Sequence, residues 1–364
     1  MTAVPPRAVP RPEELPDRVT LARMRQLAHA RLDPLTIEYL ETGAADQRTV
    51  VANERDFERH RIAPHVLRDV SAVSTVTELL GHVFASPILV APTGSHALFH
   101  AEGEKATARG AADAGCGYVM SGYSTTDPDD LEVDTSSMWL QVNVPPVRAV
   151  LDRIVERAGR HAALVVTVDT PVVGARESQT WDGLTLPPGL SFPLLDGLEL
   201  RPEAGRGIYR TGLDASFGLD DLARIVEESS VPVVVKGIVR GDDARAAIDA
   251  GASAVIVSNH GGRNLDSGLS TVRALPGVVE GVAGRVPILL DGGIRRGTDV
   301  LIALALGASA VLVGRPILWG LTVAGSSGVR AVLDILGREL AMAMALCGVN
   351  TVTDIDTDLL STDG

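Results

Sequence analysis

Aromatic side chains are scarce in this sequence of 364 residues, with Trp 3, Tyr 4 and Phe 5. The core must therefore be built from Val, Leu, Ile and Ala, a composition suited to buried parallel strands. Cysteine is scarcer still. Cys116 and Cys347 are the two, too few for a disulfide framework, and they read as reduced thiols of a cytoplasmic protein. No apolar run reaches the roughly 18 residues a membrane-spanning helix needs. The opening MTAVPPRAVPRPEELPDR has no apolar core of the kind a signal peptide carries. Positive charge is in deficit: Lys+Arg 33 against Asp+Glu 46 gives a net charge of −13, which argues against nucleic acid or an anionic membrane as partner. Any anionic ligand must then be held by a local cluster of Arg and Lys. No metal site is expected. His29, His60, His65, His82, His96, His100 and His161 are scattered, without Cys or paired carboxylates at ligand spacing. His96 and His100 fit either the mouth of a site or a surface loop.

What is present is ample for one large core. Hydrophobic residues make up 45% and charged residues 22%, which excludes global disorder. Residues 1–19 are Pro-rich and read as a flexible arm. From Thr20 to about Ala45 the apolar spacing is helical, with Gly43 a plausible cap. A rhythm then sets in. PILVAPTG, YVMSG, MWLQVN, ALVVTVD, PVVVKG, AVIVSNH, PILLDGG and AVLVGRP are short apolar runs, and helical stretches follow most of them. The pattern predicts an α/β fold, a closed (β/α)8 TIM barrel in a single domain over 20–350, with an N-terminal helical segment. An open doubly wound sheet is the alternative, but PTGSHALFH after the first run is not its glycine fingerprint. Residues 171–218 form a long Pro- and Gly-rich connection after the fourth strand, expected as a mobile lid. Residues 324–346 read as a terminal helix and 351–364 as a tail.

The stretch AVIVSNHGGRNLD (254–266) organises the rest. A buried strand stops at Asn259-His260, two glycines turn the backbone, and Arg263 follows. Imidazole takes a proton near neutral pH, and guanidinium holds a carboxylate or phosphate with two parallel hydrogen bonds. A base beside an anion clamp suits proton abstraction next to a carboxylate; a tight turn with a capping His and a solvated Arg is the plainer alternative. In a TIM barrel the site lies at the C-terminal ends of the strands. Polar residues stand at each such end, and wetness alone explains Thr93 and Ser121 but not Asp169 or Lys236. Asp169 is placed to orient His260. Phosphate is expected at the turns after strands seven and eight, DGGIRRG and VGRP, with Arg295 and Arg315. Lys236 is then placed to stabilise charge on the head of a cofactor. Tyr39, by pattern alone, reads as a half-buried core aromatic.

SNHGGRNLD, DGGIRRGTDVLIALALGASAVLVGRP, TVDTPVVGAR and GAADQRTVVANERDF together resemble the FMN-dependent 2-hydroxy acid oxidase/dehydrogenase family, which includes glycolate oxidase, lactate oxidase, mandelate dehydrogenase and hydroxymandelate oxidase. The resemblance runs from about residue 20 to 350. It implies FMN as cofactor and oxidation of a 2-hydroxy acid to the 2-keto acid, with O2 or another electron acceptor. It implies His260 as base with Asp169 as partner, Arg263 and Tyr39 on the substrate carboxylate, and Arg176 at the pocket edge. Lys236 is implied against the flavin N1/O2 edge, and Pro92, Thr93 and Gly94 facing N5. Ser121, Gln141, Thr167 and Ser258 are implied around the ring, and Asp291, Gly293, Arg295, Gly314 and Arg315 on ribityl and phosphate. A homo-oligomer, tetramer or octamer, is also implied. Two departures point to an atypical or bulky substrate: Asn143 stands where the family has a tyrosine, and Gly94 where oxidases often have alanine. Tyr123 matches the family. A flavin-dependent oxidative decarboxylase, monooxygenase or tailoring oxidase on a hydroxy or amino acid is the alternative. A barrel that binds a phosphorylated ligand without chemistry is a further one.

Overall fold

The computed structural model describes residues 19–174, 176, 186–198 and 213–361. Residues 1–18 of the expected arm, 175, 177–185 and 199–212 of the expected lid, and 362–364 of the expected tail lie outside the described residues. The N-terminal segment forms α1 (Leu21–His29) and α2 (Pro34–Glu41). Each starts on a side-chain cap, Thr20 Oγ1 accepting from Arg23 N at 3.2 Å and Asp33 Oδ1 from Thr36 N at 3.0 Å. Such caps satisfy amides that have no partner within the helix. Then come α3 (Arg48–Arg55) and an antiparallel hairpin, β1 (Thr77–Leu79) and β2 (His82–Phe84). The sequence does not announce this hairpin, because strands of three residues are too short for an alternating pattern to emerge.

The barrel follows as β3 (Ile88–Val90), α4 (Gly103–Asp113), β4 (Val119–Met120), β5 (Trp139–Asn143), α5 (Arg148–Ala158), β6 (Ala163–Thr167), α6 (Leu219–Glu228), β7 (Val233–Ile238), α7 (Gly241–Asp249), β8 (Ala254–Val257), α8 (Thr271–Val282), β9 (Ile288–Asp291), α9 (Gly297–Ala305), β10 (Ala310–Val313) and α10 (Arg315–Cys347). The eight strands β3 to β10 pair in parallel, β3 lying beside β10. The ring closes where Val90 bridges Tyr118 in parallel, with Val90 N donating to Gly117 O at 2.8 Å. All eight apolar runs are barrel strands, as the sequence predicts. The terminal helix differs in its start. α10 begins at Arg315 and breaks at Ala324-Gly325, where the backbone leaves helical angles; the sequence pattern shows only its second half.

The pleat sorts side chains into two layers. Leu89, Trp139, Val165, Val234, Ile256, Leu289 and Leu312 fill the barrel, and Leu79 and Phe84 of the hairpin join them at its N-terminal end. Val90, Val166, Val255, Val257 and Leu290 point outward under the helices. Each such burial contributes about 1.5–3 kcal/mol. With its N-terminal end covered by hairpin side chains, the barrel is open to ligands at the other end. The C-terminal segment also packs down, with Ile355 and Leu359 buried and Leu360 bridged to Ile62.

Candidate active site

One cleft occupies the C-terminal end of the barrel, enclosing about 1210 Å³ of space, solvent at its mouth included. Tyr39, Pro92, Thr93, Gly94, Ser121, Tyr123, Gln141, Asn143, Thr167 and Arg176 lie on its wall. So do Lys236, His260, Arg263, Asp291, Gly293, Arg295, Gly314 and Arg315. Of the residues predicted from sequence, only Asp169 and Ser258 stand back from the wall. Asp169 lies behind His260, and Ser258 Oγ accepts from Lys236 Nζ at 2.8 Å.

The turn after β8 carries His260. His260, Gly261 and Gly262 all have positive φ, at 57°, 63° and 74°. A histidine pays for this conformation in backbone energy unless its surroundings fix it. Three contacts do so. His260 N donates to Ser258 Oγ at 3.1 Å, Gly262 N donates to Asn259 Oδ1 at 3.1 Å, and the Asn53 and Asn259 carboxamides hydrogen-bond each other. Gly262 is required for a second reason: a Cβ there would sit 2.8 Å from Val50 N. The turn points His260 Nδ1 at Asp169 Oδ1, 3.0 Å away. Burial pushes the Asp169 carboxyl up, but the His260 imidazole, then Lys236 and Thr170, hold it below the ordinary range. It is therefore an ionised acceptor, so Nδ1 carries the proton and Nε2 is left as the basic atom.

Arg263 lies three residues on. Its Nη1 donates to the carbonyls of Tyr39 at 2.7 Å and Thr42 at 2.9 Å, and its Cζ stands 5.1 Å from the Tyr39 ring centroid. Nε and Nη2 have no hydrogen-bond partner among the described residues. That leaves one edge of the guanidinium to bind a carboxylate at two points. Tyr39 is 9% exposed, so it is both the core aromatic its pattern indicates and part of the cleft wall.

The cleft wall carries further cations, and Arg315 shares the Thr42 carbonyl with Arg263. Lys236, 4% exposed, pairs with Asp291 Oδ2 at 3.0 Å. Burial alone would lower its pKa, yet Asp291 and Asp169 hold it above the ordinary lysine value. Asp291 Oδ1 is buried without a partner among the described residues, as is Arg295 Nε. Arg315 donates to the carbonyls of Leu40, Gly261 and Thr42. Burial, followed by the neighbouring Arg263 and Arg295, pushes its pKa down to about 9. Arg295 Nη2 pairs with Glu54 Oε1 at 2.8 Å, but no carboxylate among the described residues is hydrogen-bonded to Arg315; paired buried charges are the rule, so Arg315 can take an anion. The turns DGGIRRG and VGRP do meet here, as expected for phosphate.

Amide orientations follow from obligatory donors. Gly122 N donates to Gln141 Oε1 at 3.2 Å, so Gln141 Nε2 is the donor to Thr167 Oγ1 at 2.8 Å and to Asn143 Oδ1 at 2.9 Å. The Asn143 amide hydrogens are thereby left for the cleft. Tyr123 packs edge-on against Phe192 at 5.3 Å, and burial raises its pKa. His96 is neither at the mouth nor on a surface loop. It is fully buried between Thr93 Oγ1 at 2.7 Å and Thr107 Oγ1 at 2.9 Å, and burial lowers its pKa.

Sequence reasoning missed Val173, Leu213 and Thr170 on the wall, and Asn264 behind it. No local pattern marks them, because each acts through contacts across the fold. It also missed the demand on Gly237. With φ at +112°, a Cβ there would meet Asp169 Cβ at 2.6 Å and its backbone N at 2.8 Å. Gly237→Ala is expected to cost at least about 2 kcal/mol by urea unfolding and to displace Asp169 from His260. An alanine variant with wild-type stability would contradict that placement.

A family model described as FMN-dependent dehydrogenase matches residues 28–362. An L-lactate oxidase of Nostoc sp. is 41% identical over 356 residues, covering 94% of this chain and 98% of that protein. A peroxisomal (S)-2-hydroxyacid oxidase of Arabidopsis thaliana is 39% identical over 351 residues, covering 95% and 97%. Among solved structures, mandelate oxidase with (S)-4-hydroxymandelic acid superposes with a TM-score of 0.89 at 35% identity, covering 94% of this chain and 98% of that one.

Proposed function

The chain belongs to the FMN-dependent dehydrogenase family, and from that premise we propose which residues do what in the cleft. The protein is an oxidoreductase that oxidises 2-hydroxy acids with FMN. The residues fit that cofactor. Arg295 and Arg315, with the amides at Gly293 and Gly314, supply the anion site that a phosphate needs. The unpartnered Asp291 Oδ1 suits a ribityl hydroxyl. Lys236, held by Ser258, and the wall from Pro92 to Gly94 with Ser121, Gln141 and Thr167 surround the place for the ring. When bound, FMN supplies an acceptor for two electrons.

On the open face, the free edge of Arg263 and the Tyr39 side chain hold the substrate carboxylate. Nε2 of His260 takes one proton, and Asp169 stabilises the imidazolium that forms. The substrate loses two protons and two electrons in all and leaves as the 2-keto acid. O2 or another acceptor then takes the electrons. Arg176, Tyr123, Asn143 and Gly94 contact the rest of the substrate. The observation that carries this reading is the pairing of an Asp-anchored histidine with a guanidinium edge that has no hydrogen-bond partner among the described residues. The test is anaerobic addition of glycolate, L-lactate and (S)-mandelate to the FMN-loaded protein. Bleaching of the yellow band with one equivalent of 2-keto acid is expected from at least one of them; persistent colour with all three counts against the reading.

Asn143 favours a second outcome on the same site. Its amide donor leaves more room than a tyrosine, consistent with a bulkier hydroxy or amino acid and with oxidative decarboxylation or monooxygenation. Product analysis under air separates the two readings, since decarboxylation gives a product one carbon shorter. A cytoplasmic homo-oligomer of four or eight copies completes the proposal. Two unpaired cysteines suit a reducing compartment, and the oligomer rests on the family resemblance; no helix among the described residues is long and apolar enough to cross a membrane. A monomer in light scattering would end the oligomer half of it. No role for nucleic acid follows from this site.

Arg315→Lys tests the phosphate assignment. Lysine keeps a charge but loses the fork, and hydrogen bonds to charged groups contribute about 1.5–3 kcal/mol each. The dissociation constant for FMN is expected to rise by about 100-fold in fluorescence titration. Unchanged affinity would remove Arg315 from the phosphate site.

A further inference from the structure

Asn264 directly follows Arg263 and reaches back across the fold. Its Nδ2 donates to the backbone carbonyl of Asp169 at 2.9 Å and to Thr170 Oγ1 at 2.8 Å. A carbonyl only accepts, so the atom facing Asp169 O must be the nitrogen, and the amide orientation is settled without appeal to hydrogen positions. Its second hydrogen then occupies a lone pair of the Thr170 hydroxyl. That hydroxyl lies 3.0 Å from Asp169 Oδ1 and 3.2 Å from His260 Nδ1. With Asn264 fixing the hydroxyl from one side, its proton goes to Asp169 Oδ1, the nearer of the two atoms and one that can only accept. The carboxylate oxygen thus accepts from Thr170 and from His260 Nδ1 together.

We propose that Asn264 and Thr170 are positioning residues that fix which nitrogen of His260 carries its proton. The inference rests on the reading of His260 as the base. A threonine hydroxyl can equally donate to an unprotonated Nδ1. Left unrestrained beside His260, it would compete with Asp169 for that atom and favour the tautomer with the proton on Nε2, which cannot accept another. Asn264 removes the competition by holding the hydroxyl the other way. It does so from the same turn that carries His260 and Arg263. Gly174 packs against the Asn264 backbone, where a Cβ would come within 2.5 Å of Asn264 Cα, so the residue has little freedom to swing away.

The experiment uses FMN-loaded protein with 15N-labelled histidine, the His260 signals being assigned by their loss in His260→Gln. Wild type is expected to show the proton on Nδ1. Asn264→Leu is expected to show a substantial Nε2-protonated population. Its maximal rate of anaerobic flavin reduction by L-lactate or (S)-mandelate should fall by about 10- to 100-fold, the half-saturating concentration changing less than twofold; loss of a correctly presented base has effects of this order or larger. The double variant Asn264→Leu/Thr170→Val is expected to recover the wild-type tautomer and most of the rate, because the competing hydroxyl is gone. A role in packing alone gives no such rescue. Should Asn264→Leu fail to fold, Asn264→Ser, too short to reach the Asp169 carbonyl, is read in the same way. A wild-type tautomer in the single variant, or a double variant worse than the single, overturns the proposal. If neither acid reduces the flavin of the wild type, the functional reading fails, and the nitrogen spectra still decide this one.

Discussion

Replacing His260 with glutamine is expected to lower the rate of anaerobic flavin reduction by substrate about 1,000-fold, within the range general-base catalysis commonly contributes, while FMN stays bound. Glutamine spans a similar length and can still hydrogen-bond Asp169, so the turn should survive. What it cannot do is accept a proton near neutral pH. The FMN contacts proposed above come from Lys236, Asp291, Arg295 and Arg315, none of which is hydrogen-bonded to the His260 side chain. Cofactor content and flavin fluorescence are therefore the control, and stopped-flow reduction is the measurement. A His260→Gln protein that bleaches at the wild-type rate takes the histidine out of the mechanism.

Lys236→Met is expected to have the largest effect on stability. The ammonium is 4% exposed and stands 3.0 Å from Asp291 Oδ2. Its charge is also one of the influences holding the Asp169 carboxyl low. Methionine fills much of the same volume, so packing changes little. Asp291 is then buried without its counter-ion, and Asp169 loses a stabilising field. Removing one partner of a buried pair typically costs about 3–5 kcal/mol. The urea midpoint of the apoprotein should fall accordingly, and FMN should be lost on desalting. The double variant Lys236→Met/Asp291→Asn should regain part of the stability, because the orphaned charge is gone too. A single variant as stable as wild type would show that the pair is not buried as described.

Much of this fold was legible because barrel strands are buried on both faces. Runs such as AVIV and AVLV then read as continuous apolar stretches, and whatever polar residue ends them stands out. Lys236 after PVVV and His260 after AVIVSN were visible for that reason. The turns DGGIRRG and VGRP were visible because glycine and arginine there have no use in an apolar core. Other features carry no local mark. The barrel's closure rests on a single bridge between Val90 and Tyr118. The β1–β2 hairpin has three residues in each strand. Thr170 and Asn264 are ordinary polar residues until the chain brings them together across 94 positions. Tyr39 shows the limit most clearly. Its helical spacing marks it as core, and it is core, yet the same ring packs beside Arg263 on the cleft wall. His96 shows the converse: by sequence it fits the mouth of a site or a surface loop, but two threonine hydroxyls satisfy it in the interior.

The claim on which the rest depends is spatial: one cleft holds an anion at Arg295 and Arg315 and a carboxylate at Arg263, with His260 Nε2 between them and facing the substrate. Diffraction from crystals of the FMN-loaded protein soaked with a 2-keto acid tests it most directly. The account predicts a phosphate against the Arg295 and Arg315 side chains, the keto acid's carboxylate on Nε and Nη2 of Arg263, and its carbonyl carbon beside His260 Nε2. A phosphate bound elsewhere, or a carboxylate that ignores Arg263 while His260 turns away, would contradict it.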